Sequence, residues 1–427
     1  MSYKLKNFLV FIVFFITSCD PGSGSITTNN SGSFVNPVIN NFSSDKYNLA
    51  ANQSFNISWS ASANSCTASG DWTGEKEITG NETLSFSTNA TYELILNCYG
   101  GEGTITARST ISIYVSDDGA YESFCKTPLQ DSNEYWLEEF NNPRLDSDVF
   151  SYQIGNGFFA GGQWISGWGN NEPQYYTGPG SGDYGKYAKN YNEENNTTEN
   201  LFIEDGYLKI QPIYNENSPF IDPYNGSTPW QHTSGKLVTS DKKIFQLPAK
   251  ITVCFKVPDG TGFWPAIWML PQGFMNNNKV WPDDGEIDLM EARGRLSQVV
   301  GSAMHFKANW GSHTFISSDV HVSMAENFQD TFHSITFEWT ENYIKMYLDN
   351  DETPFFNENS NAGSLVNAYY PFNEPFYLIL NVASGGNFDS SFQTDTNSFC
   401  HNADCSNLAV PDRGRFLIDY IEYKSID

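Results

Sequence analysis

Between residues 263 and 270 the chain reads FWPAIWML, and alternate positions differ in kind. Phe263, Pro265, Ile267 and Met269 form one apolar row, while Trp264, Ala266 and Trp268 form the other. A period of two predicts a strand whose faces meet different surroundings. The segment EIDLMEA at 286–292 begins the same way, with Ile287 and Leu289 on one side and Glu286 and Asp288 on the other. It then breaks step, because Glu291 is an odd number of residues beyond Glu286 and should face away. A β-bulge at Leu289-Met290 would return it to the face of the other two acids. Further strands are predicted at KLVTSDKKIFQL, KITVCFKV, FHSITFEW, YIKMYLDN, FYLILNVA and RFLIDYIEY, and sustained helical periodicity is absent. Long Asn/Gly/Asp-rich loops join them, the longest over 154–200, so this part reads as a large antiparallel sandwich or barrel with a loop-built cleft.

Nearer the N-terminus, SFNISWSAS, ETLSFSTN, TYELILNCYG and STISIYVS are short β-rich runs separated by turns, which predicts a small sandwich over 35–116. Cys66 and Cys98 flank its strands and are expected to staple its two sheets. The module resembles a bacterial immunoglobulin-like domain, with a spacer role favoured over a binding one because no exposed aromatic cluster stands out. The acidic SDDGAYES marks the boundary, which leaves 117–427 as a second, larger domain. The expected fold class is therefore all-β, and no internal repeat is evident.

Composition adds the compartment. Asp plus Glu number 50 against 23 Lys plus Arg, a formal charge of −27, which excludes nucleic acid and anionic membrane surfaces as partners recognised by general electrostatics. Aromatic residues make up 15% of the chain and charged ones only 17%, a mixture suggestive of exported β proteins that handle carbohydrate. MSYKLKNFLVFIVFFITSCD has two lysines, an apolar run and then small residues, which predicts a signal peptide over 1–18. Ile-Thr-Ser-Cys resembles a bacterial lipobox, so cleavage before Cys19 and lipidation of its thiol are expected, with secretion on a plain signal peptide as the alternative. Residues 19–34 would be a flexible tether, and no other apolar run approaches a membrane span. Export leaves six cysteines to pair: Cys66–Cys98, Cys400–Cys405 across a small loop, and Cys125–Cys254 by elimination. Zinc is not expected, because the cysteines and the six histidines lack ligand spacing.

The chemistry centres on Glu286, Asp288 and Glu291. Unpaired carboxylates are costly in a strand flanked by buried Ile, Leu and Met, so three of them there call for a function or for cationic partners. Trp264 and Trp268 face the same way as the acids. They are either core or stacking surfaces for sugar rings, whose faces are apolar and whose rims need hydrogen bonds. EIDLME resembles the E-x-D-x-x-E signature of glycoside hydrolase family 16 in its bulged form, as found in laminarinases, agarases and carrageenases. GNNEPQYYT at 169–177, HTSGKLVTSDK at 232–242, GFWPAIWMLP at 262–271, SAMHF at 302–306 and LNVASGG at 380–386 extend the resemblance over about 136–427, and the WP-x-x-GEID-x-ME run is most similar to laminarinases.

That resemblance implies a β-jelly-roll sandwich and an endo-acting, retaining hydrolase of β-1,3-glucan, with Glu286 as nucleophile, Glu291 as acid/base and Asp288 biasing which glutamate holds the proton. It implies Trp264 and Trp268 as sugar-stacking residues, with His305, Asn171, Glu172, Lys236 and Asn381 as further substrate contacts; Lys236 stands where many laminarinases have Arg. It implies a structural calcium held by Glu139, the Gly206 carbonyl and Asp419, and no cofactor for catalysis. A monomer acting on β-glucan and anchored by lipid at the bacterial surface or outer membrane is the resulting expectation. Mixed-linkage glucan or a marine galactan such as agar, porphyran or carrageenan is the alternative substrate, and a glucan-binding protein without catalysis is the alternative class.

Overall fold

The computed structural model describes residues 36–44, 46, 48–88, 90–100, 106–116, 121, 123–160, 162–179, 192–218, 220, 230–276, 278–307, 311–359, 371–389 and 394–426. The expected signal peptide, the tether and Cys19 lie outside them, as does part of the long early loop.

The chain folds into two β-sandwiches with separate cores. In the first, strands Val38–Ser44, Ser54–Ser62 and Thr79–Ser85 form a three-stranded sheet, and Asn48–Ala50, Thr106–Ser116, Ala90–Tyr99, Ser65–Gly70 and Gly74–Lys76 a five-stranded one. Strict alternation in Ser54–Ser62 sends Phe55, Ile57, Trp59 and Ala61 inward. Cys66 and Cys98 are bonded, but they face each other directly on neighbouring strands of the five-stranded sheet, Cα to Cα 4.1 Å. The bridge therefore crosses one ladder and does not join the two sheets as the sequence suggested. Opposed residues of antiparallel strands come this close, whereas stacked sheets lie about 10 Å apart.

The second sandwich is a jelly roll of two antiparallel eight-stranded sheets. One runs in the order Ser151–Tyr152, Lys236–Val238, Phe376–Ser384, Phe263–Pro271, Glu286–Ala292, Val299–Lys307 and His313–His321, with Ile244–Phe245 also paired to Phe376–Ser384. The other is built around Phe416–Ser425, Ala249–Lys256 and His333–Trp339. Its core draws Ile287, Leu289 and Met290 from the first sheet and Ile251, Val253 and Ile335 from the second, all fully buried. Each such side chain contributes about 1.5–3 kcal/mol by leaving water. Cys125–Cys254 and Cys400–Cys405 are also bonded, in the pairing expected.

FWPAIWML has the two faces its pattern predicts. In Phe263–Pro271 only Trp264 and Trp268 are half-buried, and the other residues are buried. In Glu286–Ala292 the adjacent residues Leu289 and Met290 both enter the core, which a regular strand does not allow. The sheet accommodates them by a register shift.

Candidate active site

The shift sits where the odd spacing requires it. On one flank Trp268 pairs with Asp288 and Ile267 with Met290, so Leu289 has no opposite number. On the other, Asp288 pairs with Ala303 and Glu291 with Gly301, leaving Ser302 alone against Leu289 and Met290. The Ser302 hydroxyl donates to the Leu289 carbonyl at 2.6 Å, satisfying an acceptor that the bulge takes out of the ladder. Beyond it Glu291 has returned to the face of Glu286 and Asp288, and the three acids line one site.

Around them the neighbouring strands supply aromatic and polar groups. Trp264 donates its indole N–H to Glu291 Oε1 at 2.9 Å, and its ring stacks on Phe388 at 4.7 Å. His305, opposite Glu286 in the ladder, places Nε2 3.2 Å from Asp288 Oδ2 and 3.9 Å from Glu286 Oε1. Its Nδ1 lies 2.9 Å from His313 Nε2. Asp288 is 4% exposed, and its Oδ2 has no well-directed hydrogen bond despite the nearness of His305. Glu286, Asp288 and His305 offer ligand atoms within 4.8 Å of one another, the one such grouping among the described residues.

Burial raises all three carboxyls. Glu286 is pushed well above the usual glutamate value by burial and then by the Asp288 charge, with His305 and Lys236 pulling it back. Asp288 is pushed well above its usual value by burial and by Glu291. Glu291 is raised by burial, against the Trp264 hydrogen bond and the charges of His305 and Arg293. Each charge among the three raises its neighbours, so the set titrates as a unit.

Trp268 is held from below. Its indole N–H donates to Asn381 Oδ1 at 2.7 Å, and Asn381 Nδ2 donates to the Tyr176 hydroxyl at 3.1 Å. Lys236, 4% exposed, places its ammonium 4.0 Å from the Trp168 ring centre and 4.9 Å from that of Trp268, and burial lowers its pKa to about 8 despite Glu172 and Glu286. Glu172, 7% exposed, accepts from Gln174 at 2.7 Å and from Asn170 at 3.3 Å. Lys236, Asn381 and Glu172 are thus buried beside the site, Asn381 and Glu172 with hydrogen-bond partners inside the protein and Lys236 with its ammonium among aromatic rings. Asn171 is exposed, has φ +57° and donates to Asn387 Oδ1 at 2.8 Å. Gly386, at φ +78°, lets this wall close: a Cβ there would come within 3.2 Å of the Trp264 ring and 3.3 Å of Glu172.

The sequence reading missed Trp168, Tyr176, Phe388 and His313. Tyr176 lies in GNNEPQYYT, which resembles the family, and Trp168 directly precedes that run, so their aromatic character was a usable signal. Phe388 and His313 come from segments with no chemical pattern of their own.

The expected calcium ligands lie apart from this site. Glu139 directly follows the strand Tyr135–Glu138, Gly206 is the second residue of an Asp-Gly hairpin turn with φ +79°, and Asp419 lies in Phe416–Ser425. Burial and then the Glu139 charge raise Asp419 to about 7.

A model of the glycosyl hydrolases family 16 matches residues 185–399, half of the chain. The glucan endo-1,3-beta-glucosidase A1 of Niallia circulans is 34% identical over 262 residues, which covers 60% of this chain and 34% of that protein, so the chain spans only about a third of that relative. The beta-glucanase of Rhodothermus marinus is 31% identical over 267 residues, 62% of this chain and 79% of that protein. Among solved structures, the laminarinase catalytic domain of Thermotoga maritima superposes with a TM-score of 0.54 at 29% identity, covering 70% of this chain and all of that one. With a matching model over half its length, a relative covered over most of its own, and a bulged E-x-D-x-x-E strand facing the aromatic side of a jelly roll, the chain belongs to glycosyl hydrolase family 16.

Proposed function

We propose that this family 16 hydrolase cleaves internal β-1,3-glucosidic bonds of laminarin-type β-glucan with retention of configuration. The observation that carries the reading is the bulge at Leu289-Met290, which gathers buried Asp288 and half-buried Glu286 and Glu291 into one set beside Trp264 and Trp268. The relatives named a glucan endo-1,3-beta-glucosidase, a beta-glucanase and a laminarinase support the substrate class.

In the first step a Glu286 oxygen attacks the anomeric carbon while Glu291 gives its proton to the departing glycosidic oxygen, leaving a glycosyl ester on Glu286. In the second, Glu291 takes a proton from water, the hydroxide equivalent attacks the same carbon, and Glu286 is released as carboxylate. Burial supports Glu291 as the acid by raising its pKa. Asp288, raised by burial and by the Glu291 charge, biases which glutamate holds the proton, and His305 and Lys236 favour negative charge on Glu286.

Reducing-sugar release from laminarin by the wild type and by Glu286→Ala tests the reading. Release by the wild type and loss in the variant are expected. Equal activity in both would remove Glu286 as nucleophile, and inactivity in both would favour a glucan-binding protein. Digestion of mixed-linkage glucan, agarose, porphyran and carrageenan in parallel identifies the preferred backbone, and a galactan preference would replace the substrate while leaving the acids in place.

The same proposal includes export and anchoring through Cys19 at the bacterial surface, with the N-terminal sandwich, an immunoglobulin-like module, as a spacer. It also includes a structural calcium at Glu139, Gly206 and Asp419. Supporting that site, Asn141 donates to Glu139 and has a buried carbonyl oxygen with no hydrogen-bond partner among the described residues, so oxygen ligands outnumber the donors that would satisfy them.

A further inference from the structure

The acids have two flanks, and Trp264, Trp268 and Phe388 occupy one. That side is walled: Trp264 and Trp268 are backed by Phe388, Asn381 and Lys236 and closed over by the loop at Gly386. On the other flank the sheet runs out through Val299–Lys307 to its last strand, His313–His321, and the ladder places three rows of residues on the face of the acids. Asp288 leads to Ala303 and Ser317, Glu291 to Gly301 and Asp319, and Glu286 to His305 and Phe315. The first two rows form a low floor, since Ala303 and Gly301 have almost no side chain, and end in a hydroxyl and a carboxylate. At Gly301 a Cβ would already meet Asp319 Oδ1 at 2.7 Å. The third row rises as a wall: Phe315 is 59% exposed and packs on His305 at 5.5 Å, and Trp281, 41% exposed, packs on His313 at 4.7 Å.

Two large aromatic rings left in water beside a shallow polar floor cost free energy unless something covers them. A pyranose fits, because its apolar face can lie on the rings while its hydroxyls meet Ser317 and Asp319. Cleavage of an internal bond also needs the chain held on both sides of the acids. The reacting sugar is distorted toward a half-chair or boat and needs the closed, walled side. The open edge suits the part that must depart before water enters.

We propose that Phe315 and Trp281, over the floor of Gly301 and Ala303, form a sugar-binding subsite for the leaving-group side of the β-glucan chain. The proposal rests on the reading of the acids given above. It makes Phe315 a binding and specificity residue of the same reaction.

The test compares two substrates in the wild type and in Phe315→Ala, an exposed edge-strand change that leaves the core intact. One is laminarihexaose, long enough to cover both flanks. The other is β-laminaribiosyl fluoride, whose leaving group is a single atom and cannot reach the platform. Phe315→Ala should lower kcat/KM for the hexaose about tenfold, the scale of one lost stacking contact, and change that for the fluoride less than twofold. Equal losses on both substrates, or no loss on the hexaose, would overturn the subsite. A wild type inactive on both substrates would instead overturn the reading of the acids.

Discussion

Trp264 Nε1 and Glu291 Oε1 are 2.9 Å apart, and this hydrogen bond ties the residue assigned as acid/base to the aromatic wall of the site. The donor favours the ionised carboxylate and so opposes burial, which raises the same group. Removing it with Trp264→Phe should raise the Glu291 pKa further. Since the basic limb of a kcat/KM profile follows loss of the acid's proton, that limb should move to higher pH while the maximum falls about tenfold. A pH profile on laminarin checks it, and a limb moving to lower pH would contradict the sign.

Loss of the acid itself should depend on the leaving group. Glu291→Ala should lower kcat on laminarin by about 10²–10⁴, the range for general acid catalysis. On an aryl laminaribioside whose phenol needs little protonation, formation of the glycosyl-enzyme should be nearly unaffected. A pre-steady-state burst of phenol from the variant is the expected observation, and a uniform loss on both substrates would point to misfolding or a different role.

The bulge makes a prediction about length. Deleting Met290 leaves Glu-Ile-Asp-Leu-Glu, in which plain alternation keeps all three acids on one face, so measurable laminarin hydrolysis should survive some loss of stability. Inserting an alanine between Leu289 and Met290 makes the interval six, which plain alternation also keeps on one face, but it carries the last glutamate two steps, roughly 6–7 Å, further along the strand from Glu286 and should abolish hydrolysis. Thermal melts alongside the assays separate lost folding from lost chemistry.

Lys236 carries a pH signature of stability. Burial depresses its pKa to about 8 in the folded protein from an ordinary value of 10.5, so between these values the unfolded chain binds more protons. Stability attributable to this group should therefore rise with pH across that window and be least where the folded lysine is charged, below about 8. Lys236→Met should remove the dependence and hold or raise Tm near pH 7, yet lower kcat because Glu286 loses a buried positive neighbour. Melting curves from pH 7 to 10 and kcat on laminarin test both parts.

Much of the site was legible because local pattern and chemistry conflicted. The odd interval between Asp288 and Glu291, set among buried apolar residues, demanded a bulge, and the ladder has it between Asp288 and Glu291. The two faces of Phe263–Pro271 followed from alternation alone. The missed features depend on register between segments far apart in the chain. Lys236 lies beside Asn381 only because Lys236–Val238 pairs with Phe376–Ser384, and that neighbourhood buries both side chains beneath Trp268. Cys66 and Cys98 were read correctly as partners and wrongly as a link between sheets for the same reason. Phe315 alternates with half-buried neighbours on an edge strand and looked ordinary until the ladder set it beside His305.

The central claim is that Glu286 attacks the sugar and Glu291 does not. Incubation with 2-deoxy-2-fluoro-β-laminaribiosyl fluoride, in which the ring fluorine slows release of the glycosyl-enzyme more than its formation, should leave one disaccharide ester on the protein. Proteolysis and fragment mass analysis should place it on the Glu286 side chain within GEIDLMEAR. An ester on Glu291 or on another residue, or turnover of the reagent to free α-anomer with no labelled protein, would contradict the account.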